Sequence, residues 1–119
     1  MLRFGGCLAC VAVLVSLGPA GAVADEKCSG STLEIVDCIN ADAQNWEKKL
    51  NAAYQAAMKR QSALRRERLR AAQRLWVQYR NANCRYYAMG EGTIARIEAA
   101  NCVRAMTRQR ATELAEGAP

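Results

Sequence analysis

The sequence predicts an all-α protein: a small antiparallel helical hairpin or three-helix bundle with two disulfides. After residue 24, proline is absent until Pro119, and glycine occurs only at Gly30, Gly90, Gly92 and Gly117. The stretches between these glycines are rich in Ala, Leu, Gln, Glu, Lys and Arg, which are strong helix formers. Strict alternation of apolar and polar residues, which is typical of strands, is absent.

Residues 1–24 have the composition of a secretory signal peptide. They contain one base, Arg3, and no acid, and an apolar run from Cys7 to Leu17 precedes the tripeptide Ala22-Val23-Ala24. This run is too short to span a bilayer, which needs about 20 residues. We therefore expect cleavage near Ala24/Asp25, a periplasmic or secreted protein without a transmembrane segment, and one helical domain over residues 25–119.

Four cysteines follow the predicted signal peptide: Cys28, Cys38, Cys84 and Cys102. An even number in a short exported chain predicts disulfides, and four cysteines allow three pairings. We favour Cys28–Cys38 and Cys84–Cys102 because each bridge closes a local loop, although the sequence leaves the other pairings open. The alternative of a four-thiolate zinc site is less favoured, since such sites use closely spaced cysteine pairs.

The chain contains no histidine. Histidine is the commonest general base, the usual partner of a serine or cysteine nucleophile, and the commonest transition-metal ligand. No glycine-rich phosphate loop is present, and the scattered acids form no pair that spacing alone identifies as catalytic. We therefore expect a protein that is not an enzyme and that uses no metal and no cofactor.

Capping residues and glycines divide the chain into three predicted helices. Ser31 and Glu34 fit a capping box at the start of the first helix, whereas Asn40 to Asp42 favours a break within it. Thr93 follows the second glycine cluster and is the predicted N-cap of the third helix. The predicted helices run from near Ser31 to Gln61, from about Ser62 to Met89, and from Thr93 to about Glu116.

Apolar residues recur mostly every three or four positions in the first two helices, which places them on one face of each helix. Aromatic residues at this spacing normally bury their area against a neighbour. Short connections make consecutive helices antiparallel neighbours. The apolar residues of the third helix point in several directions, so its facing stays open. The predicted core consists of Trp46, Leu50, Tyr54, Leu69, Trp76 and Tyr79.

Basic charge is concentrated between residues 59 and 85, which carry nine bases against one acid, and residues 25–119 have a formal charge of +5. A helical wheel gathers several of these bases on a face of the second helix away from its apolar stripe. Such a face is either simply solvated or binds an anionic partner. The bases on this face are Arg66, Arg70, Arg74 and Arg85.

Two further features are candidates for partner binding. Arg80 falls on the same side of the helix as Trp76, where a charge requires a salt bridge to a neighbouring helix or a ligand. Gly90 and Gly92 form a turn before Thr93, and the backbone amides of this turn could hold an anion. Simple turn geometry is the alternative for the two glycines.

The order of these motifs resembles a known family. Cys28 and Cys38 precede Trp46-x3-Leu50-x3-Tyr54, and a second group reads Leu69-x3-Gln73-x2-Trp76-x2-Tyr79-Arg80-x3-Cys84. The Gly90/Gly92 turn, Cys102 and a helix over residues 107–114 complete the pattern. The arrangement covers nearly all of residues 28–114 and resembles the lysozyme-inhibitor LprI-like N-terminal domain family of bacterial exported proteins.

The resemblance implies a helical fold, a periplasmic or surface location and paired cysteines. One namesake member of the family is described as a lysozyme inhibitor. This chain departs from the family pattern at two positions: Trp46 stands where an aliphatic residue is more frequent, and Asn81 stands where an aspartate usually follows Arg80.

These observations give two hypotheses for function. A lysozyme inhibitor would insert an arginine, from Arg66, Arg70 or Arg74, or the Gly90–Thr93 loop, into the cleft between the catalytic carboxylates of lysozyme. A basic envelope-binding module would instead dock on anionic lipid, lipopolysaccharide or cell-wall polymer. We expect no nucleic-acid partner, because the chain is predicted to be exported and its basic face lacks interleaved aromatic residues. The sequence is compatible with a monomer or a homodimer.

Overall fold

The computed structural model describes residues 27–117, and the predicted signal peptide lies outside this range. The described residues form three helices and no β-strand. The all-α class, the three-helix architecture and both favoured disulfides are therefore confirmed. The helices are α1 (Thr32–Lys59), α2 (Ala63–Ala88) and α3 (Ile94–Glu116).

Helix α3 packs against both other helices, and its contact with α1 is the more extensive. Arg104 in the middle of α3 approaches Asp42 in the first half of α1, and Arg60 at the end of α1 donates to the carbonyl of Leu114 near the end of α3. Helices α1 and α3 therefore run parallel, and α2 runs antiparallel to both. The backbones of α1 and α2 approach each other at few positions, so only one of the two expected pairs of consecutive helices packs closely.

The capping box predicted at the start of α1 is present. The Ser31 hydroxyl accepts from the Glu34 backbone N–H at 3.4 Å, and the Glu34 carboxylate accepts from the Ser31 N–H at 2.8 Å. Hydrogen bonds from the Ser31 hydroxyl and backbone hold the pKa of Glu34 below its ordinary value. The stabilisation from this ionised carboxylate is present at neutral pH and is lost as the pH falls through the lowered pKa.

Gly30 is required next to this capping box. Its φ of +117° lies in a region that side-chain-bearing residues rarely adopt, and a Cβ at this position would lie 2.7 Å from the Glu34 carboxylate. Any substitution would therefore strain the backbone and crowd the cap at once.

The break predicted between Asn40 and Asp42 does not form, and α1 continues through it. Ile39 and Ala43, on either side of Asn40–Asp42, are both buried. Their burial outweighs the weak local preference of Asn and Asp for helix ends.

Leu50 lies at the centre of the core and is 1% exposed. The residues buried with it are small, since two of the other three are alanines, and this allows the helices to approach closely. The cluster is Leu50, Ala57, Ala111 and Leu114, and the hydrophobic residues that pack against it are Trp46, Ala53, Tyr54, Leu69 and Trp76.

The prediction that Tyr79 belongs to the core is wrong, because its side chain is 61% exposed. Helix α2 turns Trp76, Arg80 and Cys84 toward the other helices. Each residue advances the helix by about 100°, so Tyr79 lies about that far around the helix from Arg80 and points away from the core.

The two disulfides join different parts of the fold. Cys28–Cys38 links the segment before α1 to the second turn of α1, with Cα atoms 5.6 Å apart. Cys84–Cys102 links α2 to α3 across 5.4 Å. Each bridge contributes on the order of 2–4 kcal/mol by restricting the unfolded chain.

We expect Ser31→Ala to lower the Tm of the oxidised protein by roughly 5 °C, because the start of α1 loses its side-chain cap. The matched control is Ser29→Ala, since Ser29 is an exposed serine of the same segment outside the capping box. Thermal unfolding followed by circular dichroism measures both. Equal Tm values for the two variants would contradict a stabilising role for the cap.

Candidate functional site

Arg80 joins all three helices through one guanidinium. Its Nη1 donates to the Glu47 carboxylate of α1 at 2.8 Å and to the Thr107 hydroxyl of α3 at 3.0 Å. The Arg80 side chain is only 12% exposed. The predicted salt bridge to a neighbouring helix is therefore confirmed. The prediction that Arg80 binds a partner is not supported, because its charge is paired with Glu47 inside the bundle.

The surroundings of Arg80 satisfy its other groups. The guanidinium carbon lies 5.1 Å from the centre of the Trp76 ring, within cation–π range. The Nε donates to Asn81 at 3.3 Å, so the residue that replaces the usual aspartate still accepts a hydrogen bond. Thr107 is fully buried and donates to the Val103 carbonyl at 2.7 Å. Within residues 27–117, no buried side-chain nitrogen or oxygen lacks a partner.

The four other predicted arginines are exposed and lie on one face of α2, which we name the arginine edge: Arg66, Arg70, Arg74 and Arg85. None of their side chains makes a hydrogen bond or an ion pair with another residue of the described part of the chain. Their positive charge is therefore not compensated by neighbouring acids.

An exposed apolar line, which the sequence interpretation missed, lies on the side of α2 next to Arg74 and Arg85. Leu75, Tyr79 and Tyr86 are 66%, 61% and 72% exposed. Residues four and seven positions apart lie on one side of a helix, so these three side chains form a line, about a quarter turn from Arg74 and Arg85. We name this line together with the arginine edge the outer face of α2. The spacing of these three residues in the sequence could have predicted this line.

The turn at Gly90 and Gly92 is exposed throughout. Gly92 adopts a φ of +71°, which explains the glycine at this position. Thr93 occupies the N-cap position of α3 but makes no side-chain capping hydrogen bond. The turn also presents Glu91, an acid, to solvent.

A second group of arginines meets where α1 ends and α2 begins. Arg60, Arg65 and Arg68 line a groove there, and Arg110 of α3 joins them. Arg60, Arg65 and Arg68 belong to the basic run of residues 59–85, to which the sequence gave no separate site. Arg110 could not be placed beside them from the sequence, because its position depends on how α3 packs.

The family model for lysozyme inhibitor LprI matches residues 24–114. The chain belongs to the LprI family. The match covers all of α1 and α2 and most of α3, both disulfides and the whole outer face of α2. It confirms the resemblance drawn from the cysteine, tryptophan and arginine spacing. Neither the curated proteins nor the solved structures include a significant match.

Residues 27–117 of this LprI-family chain contain neither a membrane-spanning helix nor a metal-binding cluster. No helix in this range is long and apolar enough to cross a membrane. The same range brings together no group of three or more acidic, cysteine or histidine side chains that could hold a metal ion.

We expect Arg80→Met to lower the free energy of unfolding by about 2–3 kcal/mol, because it removes a charged hydrogen-bond donor shared by two helices. Arg80→Lys should recover only part of this loss, since an ammonium lacks the planar fork of the guanidinium. Arg74→Met is the matched control, because it removes the same charge from an exposed position.

Urea unfolding of the oxidised proteins measures these differences. A midpoint for Arg80→Met equal to that of Arg74→Met would contradict the proposed role of Arg80 in joining the helices.

Proposed function

We propose that this protein is an exported bacterial inhibitor of lysozyme that acts by binding, without catalysis, through the outer face of α2. In this proposal the signal peptide directs it to the periplasm or beyond, where it would meet lysozyme. The observation that carries the proposal is the exposed line of Leu75, Tyr79 and Tyr86 beside Arg74 and Arg85, whose side chains have no partner among the described residues.

The composition of this face suits a protein partner. Tyrosine and arginine are enriched among the residues that dominate binding energy at interfaces, and large apolar side chains there exclude water around charged contacts. The face lies on a regular helix of 26 residues. The backbone that carries these side chains is therefore ordered before binding, which reduces the entropy that binding would remove.

The chemistry of lysozyme suits the arginine edge. Lysozyme hydrolyses its polymer with two carboxyl groups that flank the bond to be cleaved. A guanidinium forms two parallel hydrogen bonds with a carboxylate, so Arg70 or Arg74 could occupy the cleft and exclude the substrate. The Gly90–Thr93 loop is the less suitable candidate, since its exposed Glu91 would be repelled by the same carboxylates.

Net charge affects this proposal in a way that salt can reveal. Residues 25–119 have a formal charge of +5, and many animal lysozymes are also basic. Long-range repulsion would slow association at low salt, whereas contacts in the cleft act at short range. Added salt should therefore speed association with a basic lysozyme.

The same arginine edge supports a second candidate function, docking on an anionic envelope polymer. Four uncompensated arginines on one strip are sufficient for attraction to a phosphate-rich surface. This mode has the opposite salt dependence, because screening weakens attraction between unlike charges.

We expect Arg70→Gln/Arg74→Gln to weaken lysozyme inhibition by at least about tenfold, because arginines at interface centres commonly contribute that much. The matched control is Arg96→Gln/Arg108→Gln, which removes the same charge from exposed positions on α3. A turbidity assay of peptidoglycan lysis, with animal and bacterial lysozymes at two salt concentrations, measures inhibition.

The absence of inhibition at micromolar concentration across the panel would contradict the inhibitor function. Equal losses in the two double variants would show that net charge, and not the outer face of α2, determines binding. Binding to an anionic polymer that disappears with salt, without inhibition, would favour the second candidate.

A further inference from the structure

A groove of about 300 Å³ opens at the end of the bundle where α1 passes into α2. Its floor is apolar and includes Ala57, Leu69 and Leu114, of which Ala57 and Leu114 belong to the buried core cluster. The volume lies at the lower end of the range of small-molecule sites, which is about 300–1,000 Å³. The groove is therefore large enough for part of a hydrocarbon chain.

Four arginines line the groove, and only two of them make side-chain hydrogen bonds within the protein. Arg60 donates to the Leu114 carbonyl at 3.0 Å, and Arg110 donates to Gln73 at 3.0 Å and to Glu113 at 3.1 Å. These contacts hold two guanidinium groups in place. The side chains of Arg65 and Arg68 make no hydrogen bond or ion pair with any other described residue, so their donors are available to a ligand.

The start of α2 provides an independent indication of an anion. The first turn of α2 contains no acidic residue, and Ser62 makes no side-chain capping hydrogen bond. Arg65 instead lies in this first turn, where a positive side chain is unfavourable beside the positive end of the helix. A bound anion beside Arg65 would offset this unfavourable positive charge.

We propose that this groove binds a single-chain anionic amphiphile, with its hydrocarbon chain on the apolar floor and a phosphate or carboxylate headgroup at Arg65 and Arg68. Inorganic phosphate would leave the floor unused, and a neutral chain would leave the arginines unpaired. The site is distinct from the arginine edge, so this inference does not depend on lysozyme inhibition.

Isothermal titration calorimetry of the oxidised protein tests the proposal. The probes are dodecyl phosphate and laurate, each below its critical micelle concentration. We expect saturable binding of one molecule per chain for at least one of the two, and their relative affinities identify the preferred headgroup. Dodecylphosphocholine, which has the same chain but a zwitterionic headgroup, should bind at least about tenfold more weakly.

Two variants locate the site. Arg65→Gln/Arg68→Gln should weaken binding by at least about tenfold, whereas Arg70→Gln/Arg74→Gln, with the same charge change on the arginine edge, should leave it unchanged. Ala72→Phe should abolish binding by filling the groove that Ala72 lines. Ala72 is exposed, and circular dichroism verifies that each variant remains folded.

The proposal would be overturned by equal affinity for the zwitterionic probe, by unchanged affinity in Arg65→Gln/Arg68→Gln, or by no saturable binding of either anionic probe. Binding only to vesicles of anionic phospholipid would also overturn it, because a bilayer surface would then be the partner. Retention of lysozyme inhibition by Arg65→Gln/Arg68→Gln would show that the groove and the outer face of α2 act separately.

Discussion

The arrangement of the three helices depends on the hydrogen bonds of the Arg80 guanidinium. The guanidinium lies on α2, pairs with the Glu47 carboxylate of α1 and donates to the buried Thr107 hydroxyl of α3. The bundle has few large buried side chains, since alanine is frequent among the buried residues. A core of this kind gains little from apolar area alone, so a charged hydrogen-bond network and two disulfides contribute a large share of its stability.

This inward contact has a consequence for the opposite side of α2. The helix can turn only one side toward the bundle, and that side is occupied by Trp76, Arg80 and Cys84. Leu75, Tyr79 and the arginine edge must then face solvent. The basic residues of α2 therefore fall into two groups. The charge of Arg80 is compensated inside the fold, whereas those of the six other arginines, including the four of the arginine edge, are not. The uncompensated group is the part available for recognition.

Local signals in the sequence were sufficient for much of the fold. Ser31, Glu34 and the glycines define helix ends through short-range hydrogen bonds and backbone preferences, and the cysteines that pair lie close in sequence. The salt bridge of Arg80 was also predictable, because a charge on an apolar stripe requires a partner. The arginine edge follows directly from helical periodicity.

Other features depend on contacts between distant residues. The parallel packing of α3 on α1 relies on small residues such as Ala57 and Ala111, which produce no strong periodic pattern. Tyr79 shares the spacing of the core stripe but lies at its border, so only the orientation of α2 decides its exposure. The groove requires Arg110 to approach Arg65, although the two are far apart in sequence.

Amide chemical-shift mapping of the oxidised protein, titrated with a lysozyme that it inhibits, tests the central claim most directly. We expect the largest chemical-shift changes on the outer face of α2, around Leu75, Tyr79 and Tyr86. The residues of the groove, such as Leu114, should change little. Changes concentrated on the exposed side of α3 or at the Gly90–Thr93 turn, with α2 unaffected, would contradict binding through the outer face of α2.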